Sequence, residues 1–193
     1  MKEQQTSRFI KYLYQLDPKE DREIFAVFRR GLGKPPGSVF EMYRYIFVPK
    51  VSSWMEKVCF MIASLYALYP VKGNESLGKA MAKVLLKRTN GKYQADSKNI
   101  NSIERRFWRL LSCHPDDIFE QLTHTVSLIK SDDVPIDWDD LYRVLARWQY
   151  EESRNWEKKR WAKDFYLELT CSTQNDQGET DENNDEEVFV DED

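Results

Sequence analysis

The chain has 193 residues, 41% of them hydrophobic and 32% charged, a size and balance that suit one domain, or two small ones sharing a core, without need of metal or disulfide. Three cysteines, Cys59, Cys113 and Cys171, are odd in number and lack short metal-ligand spacing, which fits unpaired thiols in a reducing compartment and implies no disulfide framework. The formal charge of -4 hides two parts of opposite sign: all 29 Lys and Arg precede residue 171 and ten of the 33 acidic residues follow Thr170, so residues 1–170 carry +6.

The first residues, Met1 to Ser7, lack the apolar core of a signal peptide, and the most apolar run, Val58 to Leu68, is too short to span a bilayer. A cytoplasmic protein with no membrane partner is expected. No stretch alternates with period two, whereas helix caps and 3.6-residue periodicity recur, so the predicted fold is all-α: a bundle of about eight to nine helices in two packed halves. The halves are about 1–88 and 99–170, within a helical domain of residues 1–170, followed by a disordered acidic tail over 171–193.

A first helix is predicted from Thr6 to Leu16, burying Phe9, Ile10 and Leu13. Asp17-Pro18-Lys19-Glu20 reads as a cap, a first-turn proline and a third-position Glu, starting a second helix that runs to Arg30 and stops at Gly31 in the left-handed conformation. After a Gly- and Pro-containing loop, Ser38 with Glu41 and Ser53 with Glu56 read as capping boxes of helices that end before Pro49 and Pro70. The second of these, Trp54 to Leu68, is apolar on most sides and is the predicted central helix. An amphipathic helix follows Ser76, and Lys87 to Lys98, with Asn90-Gly91, is a loop.

Ser102 to Leu111 places Ile103, Phe107, Leu110 and Leu111 on one stripe and Arg105, Arg106 and Arg109 together on another. Pro115 begins a further helix, and Asp137 caps a long one carrying Trp138, Leu141, Tyr142, Leu145 and Trp148 inward, with a break or continuation near Ser153. The tail after Thr170 is too acidic and too poor in apolar residues to fold alone.

Catalytic chemistry is hard to assemble from these residues. Cys113-His114 are neighbours that point in different directions on a helix end, with no third orienting group. Gly31-Leu32-Gly33-Lys34 follows a helix rather than a strand and ends in Lys-Pro-Pro, unlike a nucleotide-binding loop. The acidic groups Asp116-Asp117, Asp132-Asp133 and Asp137, Asp139, Asp140 sit at expected helix starts, where caps and the helix dipole account for them without metal. No catalytic residue, metal or cofactor is expected. What remains is basic: Arg29, Arg30 and Lys34 near the first loop, Arg44 and Lys50 around the next helix, Arg105, Arg106 and Arg109, and Arg143 with Arg147. Clusters on several elements suit a phosphate backbone held without base reading, or an acidic protein partner docking on the basic face of a helical scaffold. Lys158, Lys159, Arg160 and Lys163 read as solubilising surface, and the six tryptophans as packing residues rather than base-stacking platforms.

Several segments in order resemble the CasB family, the small subunit of the type I-E CRISPR Cascade complex. They are Arg29-Arg30-Gly31 with Pro35-Pro36-Gly37; Met42-Tyr43-Arg44; Ser76-Leu77-Gly78-Lys79-Ala80; Ser102 to Leu111 with Glu104-Arg105-Arg106-Phe107; Ile136-Asp137-Trp138; and Trp161 to Tyr166. The resemblance covers about residues 8–169. It implies a non-enzymatic helical subunit of an antiviral defense complex, present in two copies, lying along the repeated backbone subunit and beside the large subunit. It also implies binding of nucleic acid, the guide RNA–target DNA complex and single-stranded DNA, without sequence preference, and stabilisation of target and displaced strand during R-loop formation. By the same resemblance Arg30, Lys50, Arg105 and Arg106 match basic positions of the nucleic-acid face, and Arg44 matches a Tyr-Arg pair. The chain departs from it in carrying Thr123 and His124 where some members carry basic residues, and in its acidic tail.

Overall fold

The computed structural model describes residues 7–35, 37–46, 52–93 and 100–175, and within them the chain forms eight α-helices and two short 3-10 helices, with no strand among the described residues. The predicted all-helical bundle is what forms.

Helix α1, Arg8–Gln15, starts where the Ser7 hydroxyl accepts the Ile10 N–H at 3.2 Å, and it buries Ile10 and Leu13. Phe9 is only half-buried, against Tyr142. Helix α2, Arg22–Arg29, begins later than Asp17-Pro18 suggested. The Asp17 carboxylate accepts the Lys19 N–H at 2.7 Å and Asp21 accepts the Asp17 N–H at 2.9 Å, so the two acids close a turn ahead of the helix. Gly31 does end this region, but not through a left-handed φ; positive φ belongs to Gly33 at 68°. A Cβ at Gly31 would run into the side chains of Ser64 and Met42, so the glycine permits a close approach.

The Ser38–Glu41 box forms no α-helix. Phe40–Arg44 is a 3-10 turn without a side-chain cap, drawn in by the buried Met42 and followed by the buried Ile46. The stop assigned to Pro49 lies outside the described residues. Helix α3, Ser53–Leu68, is capped by Ser52, one residue before the expected Ser53, and every residue from Val58 to Ala67 is buried. It is the central helix, in contact with α1 and α2. Helix α4, Leu77–Arg88, follows Ser76 as expected, the Ser76 hydroxyl caps it by accepting the Lys79 N–H, and Asn90 and Gly91 make the left-handed turn that ends it.

Helix α5 spans Ser102–Ser112, capped by Asn101. A 3-10 turn at Pro115–Asp117 leads into α6, Ile118–Ser131, and Asp137 caps α7, Trp138–Arg147, by accepting from both Asp139 and Asp140. The break after α7 falls at Trp148 to Tyr150, ahead of Ser153, and α8 then runs Glu151–Asn175, five residues into the expected tail. Residues 176–193 lie outside the described residues.

The core is closed by aromatic pairs between distant elements. Phe107 stacks on Phe165 with centroids 4.4 Å apart, Trp148 meets Trp161, and Tyr66 meets Trp138 edge-on. Helices α4 and α8 lie unusually close because Gly78 faces the Trp161 backbone, which a Cβ would strike. Helix α3 packs on α7 and α6, and α5 packs on α4 and α6. Among the described residues no helix is long and apolar enough to cross a membrane.

Candidate nucleic-acid interface

Helix α5 divides its residues sharply. Ile103, Glu104, Phe107 and Leu110 are buried; Arg105, Arg106, Trp108 and Arg109 are exposed. The outcome follows from the apolar stripe, which fixes the rotation of the helix and forces the arginines outward. Arg106 and Arg109 sit one turn apart over a groove of about 610 Å³ between α5 and α6, and among the described residues neither makes an ion pair or hydrogen bond. Arg88 enters the same groove from the end of α4, and α6 supplies Gln121, His124 and Ser127 to its other wall.

Arg88 is the arginine of this groove that is already engaged. Its guanidinium bonds Asp132 at 2.7 and 3.0 Å and the Ser131 hydroxyl at 2.9 Å. Asp132 therefore ends α6 and anchors Arg88 there, rather than starting a helix as the acidic-cluster reading had it. Arg88 holds the Asp132 carboxyl below the ordinary carboxylate range through that hydrogen bond.

The groove does not stop at α6. Glu120 and His124 also line a second depression, about 560 Å³, whose far side is Gly33, Lys34 and Pro35. His124 thus stands between Arg106 and Arg109 on one side and Lys34 on the other, with two acidic residues along the track, Glu120, 3.9 Å from the imidazole, and Asp116 in the second depression. The structure brings Lys34, Arg106 and Arg109 to this one surface.

The other predicted basic residues are placed differently. Arg105 sits at the start of α5 and donates to the Ile100 carbonyl at 3.3 Å. Arg29 donates from Nε to the Ala67 carbonyl at 3.0 Å and lies over the Phe25 ring, which ties α2 to the end of α3. Arg30 is paired with Glu41 at 3.0 Å, both well exposed, and Arg44 lies over the Tyr45 ring. Arg143 donates to the Asp139 carbonyl and pairs with its carboxylate at 3.3 Å, while Asp139 accepts the Ser7 N–H; this group lines a separate crevice with Tyr14 and Lys72. Lys50 lies outside the described residues. Arg160 is not solubilising surface: half-buried, it bridges Asp140 at 2.9 Å and Glu157 at 2.7 Å and so ties α7 to α8.

Sequence reasoning missed Glu104. It is buried, yet it accepts hydrogen bonds from the Tyr93 hydroxyl at 3.2 Å and the Tyr166 hydroxyl at 2.8 Å. Tyr166 in turn accepts from the Trp108 indole N–H at 2.7 Å. Burial first, and then the Glu104 carboxylate holding its proton, push the Tyr166 phenol up to about 12. The signal was an acid on the apolar side of a helix, the kind of position that is filled only when partners wait.

The residues weighed for catalysis take structural positions. The Cys113 thiol donates to the Leu110 carbonyl and is pushed up by burial, and the His114 ring nitrogen accepts the Asp116 N–H at the start of the 3-10 turn. Among the described residues no three of His, Cys, Asp or Glu converge to hold a metal ion.

Comparison with known proteins agrees with this architecture. The family model for the CRISPR-associated protein Cse2 matches residues 25–166. CasB from M. ruber superposes with a TM-score of 0.67 at 28% identity over 88% of this chain and 98% of its own. CasB from Thermus thermophilus gives 0.66 at 27% identity over 83% and 96%. A chain of a CRISPR RNA-guided surveillance complex in a pre-nicking state shares the fold, with a TM-score of 0.69 at 22% identity over 87% and 95%. Among curated protein sequences nothing matches.

Proposed function

Because the chain belongs to the CRISPR-associated Cse2 family, we propose that it is the non-catalytic small subunit of a type I-E Cascade complex. In this reading it binds nucleic acid through phosphates and steadies target DNA and the displaced strand while guide RNA opens the duplex. Two copies lie along the repeated backbone subunit, beside the large subunit.

One observation carries the binding part of the reading: Arg106 and Arg109 stand exposed and unpaired, among the described residues, over the α5–α6 groove. An unpaired guanidinium on a rigid helix can meet a phosphate without first breaking an ion pair, and it releases a counterion from the nucleic acid as it does so. Nothing in that geometry distinguishes one base from another. Sequence would be read by guide pairing, with the protein supplying charge and shape.

The test is the salt dependence of single-stranded DNA binding by the full chain. Affinity should fall as salt rises whatever the sequence, and Arg106→Ala with Arg109→Ala should shallow the slope of log K against log salt by about 1.4 for two lost phosphate contacts. An unchanged slope and affinity in the double variant would remove this groove from the interface. Wild-type binding indifferent to salt would overturn the phosphate reading itself and favour an acidic protein partner instead.

A further inference from the structure

Trp108 is 41% exposed on the same face of α5 as Arg105 and Arg109, and its only polar atom, Nε1, is already spent on the Tyr166 hydroxyl. All that the indole offers solvent is therefore ring carbon. An exposed aromatic surface of this kind gains nothing from water, and it is fixed in place by a chain that ends in a buried carboxylate: Trp108 to Tyr166, then Tyr166 and Tyr93 to Glu104. Helical geometry sets the order around the exposed face as Trp108, Ser112, Arg105, Arg109 and Arg106. The aromatic ring thus borders an arginine stripe rather than an apolar patch of its own helix.

We propose that Trp108 is a base-stacking platform, so that the exposed face of α5 holds unpaired nucleotides by ring contact at one edge and phosphates along the arginines. The charge of the stripe selects the occupant: a polyanion with exposed flat bases satisfies both halves of the face. A duplex hides its bases and satisfies only one. This deepens the phosphate-binding reading above and rests on it, and it assigns a preference for single strands that charge alone does not supply.

The experiment uses the full chain with a short oligothymidine and with the same backbone carrying abasic sites. Trp108→Ala should weaken oligothymidine binding roughly 5- to 100-fold, the range for losing one stacked base. Trp108→Phe, which keeps a ring, should retain most of the affinity. Both should bind the abasic strand as the wild type does and leave the salt slope unchanged, because no phosphate contact is lost. Quenching of the fluorescence that Trp108→Phe removes, on addition of oligothymidine but not of the abasic strand, reports the stack directly. Wild-type affinity in Trp108→Ala overturns the inference while leaving the arginine groove standing. An equal loss on abasic and base-bearing strands also overturns it, and makes Trp108 a packing residue or a protein-facing one. Failure of the wild type to bind any strand brings down the underlying reading as well.

Discussion

Arg88, Arg143 and Arg106 have the same side chain and three different environments. Arg106 faces solvent; Arg143 is held by Asp139, and Arg88 by Asp132. The fork of Arg88 meets both carboxylate oxygens, the geometry in which a charge-assisted pair is strongest. Asp132 is largely buried and Arg88 less so, with side chains 14% and 44% exposed, so solvent screens part of the interaction. Asp132→Asn should cost about 1 kcal/mol at neutral pH in urea unfolding. The sign of its pH dependence follows from the depressed carboxyl: the pair stabilises fully above the carboxyl's unfolded value and loses that contribution as pH falls through its lower folded value. The gap between wild type and variant should therefore close in acid. A gap that persists there would mean Asp132 acts through packing instead of charge.

At the scale of elements, the sharpest constraint is the crossing of α4 and α8. Gly78 looks like an ordinary helix residue in sequence, where glycine is a poor choice. In the fold its missing side chain lets α4 rest on the Trp161 backbone. Gly78→Ala should gain helix propensity locally and still destabilise the protein by about 1 to 3 kcal/mol, because the methyl group must push two helices apart; a variant as stable as wild type in urea would show that α8 can yield. The same contrast separates what was legible in the chain from what was not. Asp137 caps α7 through its immediate neighbours, and the buried run of α3 announces itself by composition, so these elements can be read locally. Gly31, Gly78, Glu104 and Arg160 owe their roles to residues that are dozens of positions away or on another helix, and no local pattern reports that. The 17–21 turn misled for a related reason, since the Asp21 carboxylate turns back to the Asp17 N–H and the two acids close a turn instead of capping α2 with a side chain. Of the candidate interface, the outward stripe of α5 was visible from periodicity. That His124 and Glu120 join it to Lys34 required knowing where α6 lies.

For the molecule as a whole, the dominant feature is the separation of charge along the chain: +6 over residues 1–170 and ten acidic residues, with no Lys or Arg, over 176–193. Helix α8 touches α5 through Tyr166 and ends at Asn175, about 14 Å further along its axis. The remaining 18 residues can span up to about 60 Å when extended, so the groove carrying Arg106 and Arg109 is within their reach. A tethered polyanion near exposed arginines competes with any other polyanion for them, and that competition is screened over about 10 Å at 0.1 M salt. A chain ending at Asn175, which keeps α8 and its buried Leu169 intact, should bind oligothymidine about two- to tenfold more tightly than the full chain at low salt. The advantage should vanish as salt rises, and replacing the ten acids by Asn and Gln at full length should reproduce it, which separates lost charge from lost length. Equal affinities of the three proteins at low salt would exclude competition and leave the arginines of α5 open to nucleic acid whatever the tail does.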